Sequence, residues 1–154
     1  MIASYLLASV ADVRIAVPVS VVEEIIRAVA LTPLPSAPAI IEGAINMRGV
    51  LLPVIDLRVR LGLPRRTIDP SDFLIVLRLP TRRAVIRVDD TDDVAQIDDT
   101  SIAIPASLSA SLADTAVLAG VAATADGALV IYDPAAFLSQ SELEATEEAL
   151  STSS

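Results

Sequence analysis

Residues 43–63 carry the clearest pattern of apolar and polar positions in the chain. Ile45 and Met47 alternate with small or polar neighbours, which is typical of a half-buried strand. A continuous apolar run follows at residues 50–55, and such a run indicates a strand buried on both faces. Gly49 suits a tight turn between the two strands. The pattern therefore predicts a hairpin in this stretch.

Pro53, within this apolar run, has no N–H to donate to a ladder, so it should lie on an edge strand or beside a bulge.

Shorter patterns of the same kind predict the other strands. Asp126 and Gly127 are a two-residue hairpin signal between the last two strands. The remaining predicted strands are residues 5–10, 13–17, 72–79, 84–88, 116–123 and 128–132, with a short extended segment at 102–105.

One helix is predicted after the first pair of strands. Ser20 and Glu23 form a capping-box pattern, in which the serine hydroxyl and the glutamate side chain each accept a hydrogen bond from the other residue's backbone N–H. Apolar residues then follow at helical spacing over residues 21–29. The prolines from Pro33 onward should end this helix and form an extended connector.

The C-terminal segment predicts two further helices. Asp133-Pro134 suits the N-cap and first position of a short helix. Ser141 and Glu144 form a second capping box, which predicts a helix over residues 141–150. The Ser/Thr tail beyond Leu150 should be frayed.

The central hairpin also carries a motif of a known family. The order Gly-x-x-Asn-x-Arg-Gly, an apolar run containing proline, and Asp-Leu-Arg resembles the CheW family of chemotaxis coupling proteins. The matching residues are Gly43, Asn46, Arg48, Gly49, Pro53, Asp56, Leu57 and Arg58. The flanking hairpins and connector follow the family order as well, so the resemblance covers residues 5–138 or nearly so.

This resemblance implies a mainly β fold. It would consist of two intertwined five-stranded SH3-like β-barrel subdomains with short helices, forming one CheW-like domain over residues 1–140. The polar, proline-flanked segment 64–70 is the expected crossing between the subdomains. Residues 141–154 would add an acidic C-terminal helix and its frayed tail. Composition alone supports only a mainly β chain, because 53% of the residues are apolar but only 3% are aromatic.

The resemblance also implies a partner-binding surface around the central turn. Its expected residues are Val22, Glu24, Asn46, Arg48 and Gly49. Counting back from Arg48 places the family's acidic position at Glu24, which is then placed to pair with Arg48. The alternative is an exposed ion pair that contributes well under about 1 kcal/mol and serves no partner.

Three residues of the second half depart from the family pattern. Val85 stands where the family often has glycine, and Thr91 and Arg87 stand at positions that are usually apolar.

Composition and charge exclude several classes of function. The chain has no Cys, His or Lys, so all eleven positive charges are arginines. Eight of them form two clusters, at 58–66 and 78–87, which either balance nearby carboxylates or face a partner. Without Cys or His, ordinary zinc sites, disulfides and His- or Cys-dependent catalysis are excluded. A net charge of −9 opposes nucleic-acid binding. We therefore expect no enzyme activity, no cofactor and no metal.

The acidic segment 89–99 suggests an alternative of another class, a small-barrel domain that binds a ligand or metal through its aspartates. The segment lacks the glycine and the terminal glutamate of an EF-hand loop in register. A solvated connection between strands explains it more simply.

By resemblance, the function is that of a non-catalytic adaptor. It would couple the cytoplasmic tip of a chemoreceptor to the regulatory domain of a CheA-type histidine kinase in chemotaxis. A CheW-like adaptor of a non-flagellar pathway, such as pilus motility or development, is a further alternative that the sequence leaves open. Because no apolar run is long enough to cross a membrane and the N-terminus lacks a basic leader, we expect a cytoplasmic protein without membrane insertion.

Overall fold

Strands dominate the part of the chain that the structure describes. This computed structural model describes residues 2–80, 82–98, 102–103, 118–124, 127–134 and 138–153. The strands are β1 (Ile2–Val10), β2 (Val13–Pro18), β3 (Val22–Arg27), β4 (Ile41–Met47), β5 (Val50–Ile55), β6 (Phe73–Arg78), β7 (Arg83–Val88), β8 (Asp90–Asp98), β9 (Ile102–Ala103), β10 (Leu118–Thr124) and β11 (Gly127–Tyr132). The described helices are a 3-10 turn (Val19–Val21), α1 (Leu57–Arg60) and α2 (Gln140–Ser153).

Two sheets build the fold. The larger has the strand order β8-β1-β2-β11-β10-β9, and the smaller has the order β3-β6-β7-β5-β4. Each is antiparallel except for one parallel pair, β2 with β11 and β5 with β7. The mainly β fold with two strand-built halves is thus confirmed. The larger sheet has six described strands instead of the expected five because the two-residue β9 is added at its edge.

The chain passes between the two sheets twice. β1 and β2 belong to the larger sheet, β3 to β7 form the smaller sheet, and β8 to β11 return to the larger one. The crossings therefore lie at Val19–Val21 and at Asp89. The expected crossing at residues 64–70 is wrong, since that segment joins α1 to β6 within the smaller sheet. Its prolines mark a connection, but turn residues do not determine which sheet the next strand joins.

The helix expected over residues 21–29 is also wrong. Residues 22–27 form β3, in which partly buried and exposed side chains alternate, and this strand pairs antiparallel with β6. Half of its residues are Val or Ile, whose branched side chains favour an extended backbone. Pairing with β6 outweighs the local capping signal, and Ser20 lies in a 3-10 turn that has no side-chain cap.

The smaller sheet contains the predicted central hairpin, β4 and β5. Pro53 lies opposite Ala44, close to a register shift between Ile41 and Gly43. The expected bulge is therefore confirmed, although β5 is an interior strand of the sheet. The residues of β5 from Leu52 onward are buried, as the apolar run predicts.

Both sheets contribute to one main apolar cluster. Leu6 and Ile15 come from the larger sheet, and Ile75 and Ile86 come from the smaller one. A second cluster covers the other face of the smaller sheet, and its buried members are Ile45, Leu52, Val54, Leu74, Val76 and Val85. With apolar packing on both faces, the smaller sheet is a rigid base for its turns.

Close backbone contact beside Gly43 closes the smaller sheet. Thr32 and Ala44 exchange two backbone hydrogen bonds of 2.8 Å, which tie the connector after β3 to β4 at the opposite edge. A Cβ added to Gly43 would lie 2.8 Å from the Thr32 carbonyl oxygen and 3.1 Å from Leu31 Cβ. Glycine is therefore required by space at this position of the motif.

We expect Gly43→Ala to lower the free energy of unfolding by about 1–3 kcal/mol, because its methyl group pushes the connector away from β4. Urea denaturation followed by circular dichroism measures the change. Ala39→Val, which adds bulk at an exposed position of the same connector, is the control and should change stability by less than about 0.5 kcal/mol. Equal stability of the two variants would contradict the close contact.

The C-terminal helix is confirmed, but its cap differs from the prediction. Ser139 Oγ accepts a hydrogen bond of 3.2 Å from the Glu142 N–H, and Glu142 Oε1 accepts one of 2.8 Å from the Ser139 N–H. The capping box expected at Ser141 and Glu144 is wrong by two residues. The helix also continues through Ser153, past the predicted end. The division of the chain into a domain of residues 1–140 and a separate tail stays a prediction.

Some predictions fall on the last third of the chain. β10 and β11 pair up to Thr124 opposite Gly127, so the last hairpin is confirmed. The end of the extended segment expected at 102–105, the start of the strand expected at 116–123 and the interior of the short helix after Asp133-Pro134 lie outside the described residues. Among the described residues, no helix is both long and apolar enough to cross a membrane.

Candidate functional site

The tip of the β4–β5 hairpin is the candidate site. Met47 pairs with Val50 across a two-residue turn of Arg48 and Gly49, whose φ angles are 52° and 88°. Positive φ at both turn residues matches the right-handed twist of the two strands. Asn46 supports the turn, since its Oδ1 accepts a hydrogen bond of 2.8 Å from the Gly49 N–H. The Asn-x-Arg-Gly motif therefore encodes the geometry of this turn.

Arg48 has a backbone conformation that is unfavourable for residues with a side chain. A non-glycine residue at positive φ stores strain of about 1 kcal/mol or more, and such residues concentrate at functional sites. The Arg48 side chain is 72% exposed, so burial within the chain does not compensate this strain. The turn presents a guanidinium group to the exterior.

Glu24 lies beside Arg48, as the sequence predicts. Arg48 Nη2 donates a hydrogen bond of 3.3 Å to Glu24 Oε1. Glu24 follows a register shift in β3, and the pair joins this edge strand to the hairpin tip from the other edge of the smaller sheet. Because Glu24 is 35% exposed and Arg48 more so, the pair contributes no more than about 1 kcal/mol to stability. The ion pair therefore affects the charge of the surface more than the stability of the fold.

Two valines of the smaller sheet, Val22 and Val50, differ in their exposure. Val22 is only partly exposed, and it packs against the main apolar cluster opposite Leu77. Val50, next to Gly49, is 46% exposed and adds an apolar group to the turn surface. Sequence reasoning missed Val50 because it begins the apolar run assigned to a strand buried on both faces.

One family model accounts for most of the chain. The model of the CheW-like domain matches residues 4–142. The chain belongs to the CheW-like family. The match includes strands of both sheets and the hairpin tip, so the resemblance inferred from the central motif is confirmed.

Several curated proteins are similar in sequence to this CheW-like chain. Chemotaxis protein CheW of Klebsiella aerogenes is 32% identical over 113 residues, which cover 73% of this chain and 68% of the relative. Chemotaxis protein CheW of Rhizobium meliloti is 33% identical over 93 residues, and the match spans 60% of each chain. Protein FrzA of Myxococcus xanthus is 43% identical over 67 residues, or 44% of this chain and 42% of FrzA.

A solved structure extends the similarity to the fold. The crystal structure of the scaffolding protein TtCheW from Thermoanaerobacter tengcongensis has a TM-score of 0.81 and 30% identity to this CheW-like chain, and covers 92% of this chain and 91% of that one. Together with the chemotaxis relatives, this match shows the class of function, which is a scaffolding adaptor of chemotaxis.

The acidic segment of this CheW-like chain begins with Asp89, which links the two sheets by hydrogen bonds. Asp89, at the second crossing, accepts hydrogen bonds from the Ala11 N–H at 2.8 Å, from Arg58 at 2.7 Å and from Arg66 at 2.8 Å. Asp92, further along, is exposed. Within the described ranges, no group of three or more His, Cys, Asp or Glu residues is arranged to hold a metal ion. The structural role of Asp89 explains the start of this segment without a ligand. The solvated connection expected over this segment is wrong for residues 90–98, which form β8 of the larger sheet.

Arg87, which departs from the family pattern, lies at the centre of a buried ion-pair network. Its side chain is 2% exposed. Its Nε and Nη2 donate to the two carboxylate oxygens of Glu42 at 2.9 and 2.8 Å, and its Nη1 donates to Asp72 at 3.1 Å. The Arg66 carbonyl accepts a further bond of 2.7 Å. These four bonds compensate the removal of the charge from water.

The carboxyl groups of this network have shifted pKa values. Burial alone would raise the pKa of Asp72, but hydrogen bonds, led by that of Arg66, hold it below its usual range. Burial of Asp89 is likewise outweighed, chiefly by the Ala11 N–H and by two arginines, so its pKa is also lowered. Burial raises the pKa of Glu42 despite its arginine partner.

Stability should therefore fall in acid. A carboxyl group whose pKa is lowered by folding contributes stability above its unfolded pKa, and this contribution is lost as the pH falls through the folded pKa. Because the pKa values of Asp72 and Asp89 are lowered, we expect the free energy of unfolding to decrease as the pH falls below about 4, the ordinary pKa range of an aspartate. Glu42 opposes them, because a raised pKa contributes stability at low pH that is lost as the pH rises. Urea denaturation across the acid range measures the sum.

Two variants test the source of this acid dependence. Asp72→Asn should flatten the acid branch, since it removes a titrating group with a lowered pKa. The exposed Asp92→Asn should leave the branch unchanged. A free energy of unfolding that rises steadily on acidification would contradict the prediction, and so would an acid branch that Asp72→Asn does not alter.

Proposed function

We propose that this CheW-like chain is a non-catalytic adaptor that couples chemoreceptors to a CheA-type histidine kinase in the cytoplasm. The observation that carries the proposal is the hairpin tip. Arg48 is turned outward in a strained conformation with Glu24 beside it, yet this pair does little for stability. Charges that the fold does not need, fixed on a rigid sheet, are suited to steering and orienting a protein partner.

The proposed surface consists of Val22, Glu24, Asn46, Arg48 and Gly49. Asn46 is exposed and also fixes the turn, because its Oδ1 accepts from the Gly49 N–H. The exposed Val50 adds an apolar contact next to the charges. A charged pair beside an exposed valine fits a protein surface of mixed polar and apolar character.

Coupling requires that two partners bind at once. We propose that the regulatory domain of the kinase and the helical tip of the receptor use different faces of the two-sheet structure. Among the described strands, the edge strand β3 of the smaller sheet suits pairing with another β domain, and a groove beside the hairpin suits an amphipathic helix. The adaptor then converts a second weak contact into an intramolecular one and raises the overall affinity.

Binding experiments with purified components test this function. The chain is mixed with a chemoreceptor cytoplasmic fragment, with the regulatory domain of a CheA-type kinase, and with both, each taken from the organism that encodes the chain. We expect both to bind and to appear together with the chain in one complex by analytical ultracentrifugation. Failure of both to bind would overturn the proposal, and strict competition between them would overturn the coupling mechanism.

A further inference from the structure

α2 packs beside the candidate site through one narrow stripe of its surface. Thr146, Ala149 and Leu150 are buried, and the last two belong to the main apolar cluster. Glu144 and Glu148 on the other side of the helix are exposed. The helix thus packs against the main apolar cluster through small and apolar residues at a helical spacing of three to four.

Two ion pairs flank this stripe. Glu142 accepts a hydrogen bond from Arg60, at the end of α1. Glu147 accepts from Arg82, in the turn between β6 and β7, and its Oε2 lies 2.8 Å from Arg82 Nη2. Their partly exposed side chains limit the strength of both pairs.

The fit at Arg60 is incomplete. Its Nε is buried and lacks a hydrogen-bond partner among the described groups, because Glu142 engages only Nη2. Arginine binds a carboxylate best through two parallel hydrogen bonds. A carboxylate presented at a different angle would satisfy both Nε and Nη2.

Apart from its capping box, α2 has little that would make it stable on its own. It has 14 residues and no basic residue in its last turn, where the helix dipole favours positive charge. A helix of this length is marginal in water without tertiary packing. Its folding therefore depends on the docking contacts.

The groove that α2 occupies adjoins the hairpin tip. A cavity of about 290 Å³ lies between them, and it is lined by Gly49, Val50 and Leu51 on one side and by Glu147, Leu150 and Ser151 on the other. A helix that entered beside the tip would meet the C-terminal half of α2.

We propose that α2 is an autoinhibitory strap, displaced when a partner helix binds. The competing helix carries an apolar stripe flanked by a carboxylate, which pairs with Arg60 through both Nε and Nη2. This inference rests on the proposed function, in which that helix belongs to the receptor tip. Receptor binding is then coupled to the release of α2, and the strap sets the affinity of the free adaptor.

Variants of the full chain separate the strap from the rest of the fold. Glu142→Gln with Glu147→Gln weakens both ion pairs, while glutamine at 142 can still complete the capping box. The control is Glu144→Gln with Glu148→Gln, which changes the charge equally on the exposed side. We expect the first variant to bind the receptor fragment about three- to tenfold more tightly than the wild type, and the control to match the wild type.

Amide hydrogen exchange gives the second measurement. A saturating receptor fragment should speed exchange in residues 141–150, and without the fragment the first variant should already exchange faster there than the control. Unchanged or slower exchange on receptor binding would overturn the strap, as would equal affinities of the two variants. If the wild type binds no receptor fragment at all, the proposed function fails; if it binds and α2 stays protected, only the strap fails.

Discussion

Arg87→Leu should lower the free energy of unfolding by about 3–5 kcal/mol, the largest stability effect that we expect from a single substitution in this chain. Leucine fills much of the space but leaves the buried carboxylate of Asp72 and the partly buried carboxylate of Glu42 without this arginine. The cost arises chiefly from these uncompensated charges, because the attraction within the intact pair is largely offset by desolvation. Urea denaturation at neutral pH measures the shift in midpoint.

Two companion variants identify the cause of this loss. Arg87→Leu combined with Glu42→Leu should recover a large part of the stability, because Asp72 still accepts a hydrogen bond of 2.7 Å from Arg66. Arg78→Leu, at an exposed position of the neighbouring strand, should change stability by less than about 0.5 kcal/mol. Equal stability of Arg87→Leu and Arg78→Leu would show that Arg87 does not stabilise the carboxylates of Glu42 and Asp72.

The candidate site is predictable from sequence because its chemistry is local. The Asn46 side chain bonds to Gly49 three residues later, and the turn needs positive φ at two adjacent positions. The residues that such a turn requires are neighbours in the sequence, so the motif can be matched to a family. Glu24 and Arg48 lie 24 positions apart, so local pattern does not predict that they pair. Only the match to the family does.

Elements that depend on distant contacts are not predictable in this way. Residues 22–27 fit a helical spacing and follow a capping box, yet pairing with β6, about fifty residues later, makes them a strand. At the C-terminus, Ser139 with Glu142 and Ser141 with Glu144 satisfy the same capping pattern. Contact of Glu142 with Arg60 favours the first of these two boxes. In both cases tertiary contacts decide between local alternatives.

The ion-pair network shows the same limit for charged residues. Arg87 appears in the sequence only as a departure from an apolar position, and its bidentate partner Glu42 is 45 residues away. Asp72 and Arg66, which complete the network, lie in a connection whose path the sequence does not determine. Burial of an arginine therefore becomes understandable only when β4, β7 and this connection are seen together.

Arg48→Glu should weaken the binding of the receptor fragment or of the kinase regulatory domain at least about tenfold, which is the largest expected effect on function. The substitution places two carboxylates side by side at the hairpin tip, so a partner that pairs with the arginine meets repulsion. The free energy of unfolding should change by less than about 1 kcal/mol, because both side chains are exposed. Isothermal titration calorimetry with each partner, alongside urea denaturation, measures both quantities.

Two further variants decide whether Arg48 acts through direct contact. Glu24→Arg with Arg48→Glu restores an ion pair within the chain but reverses the positions of its charges, so binding should stay weak. Arg78→Glu makes the same charge change at an exposed arginine of β6 and should bind normally. If the exchanged pair restored binding, the pair would act by holding the hairpin in place. If Arg48→Glu bound both partners as tightly as the wild type, the hairpin tip would not be the partner surface.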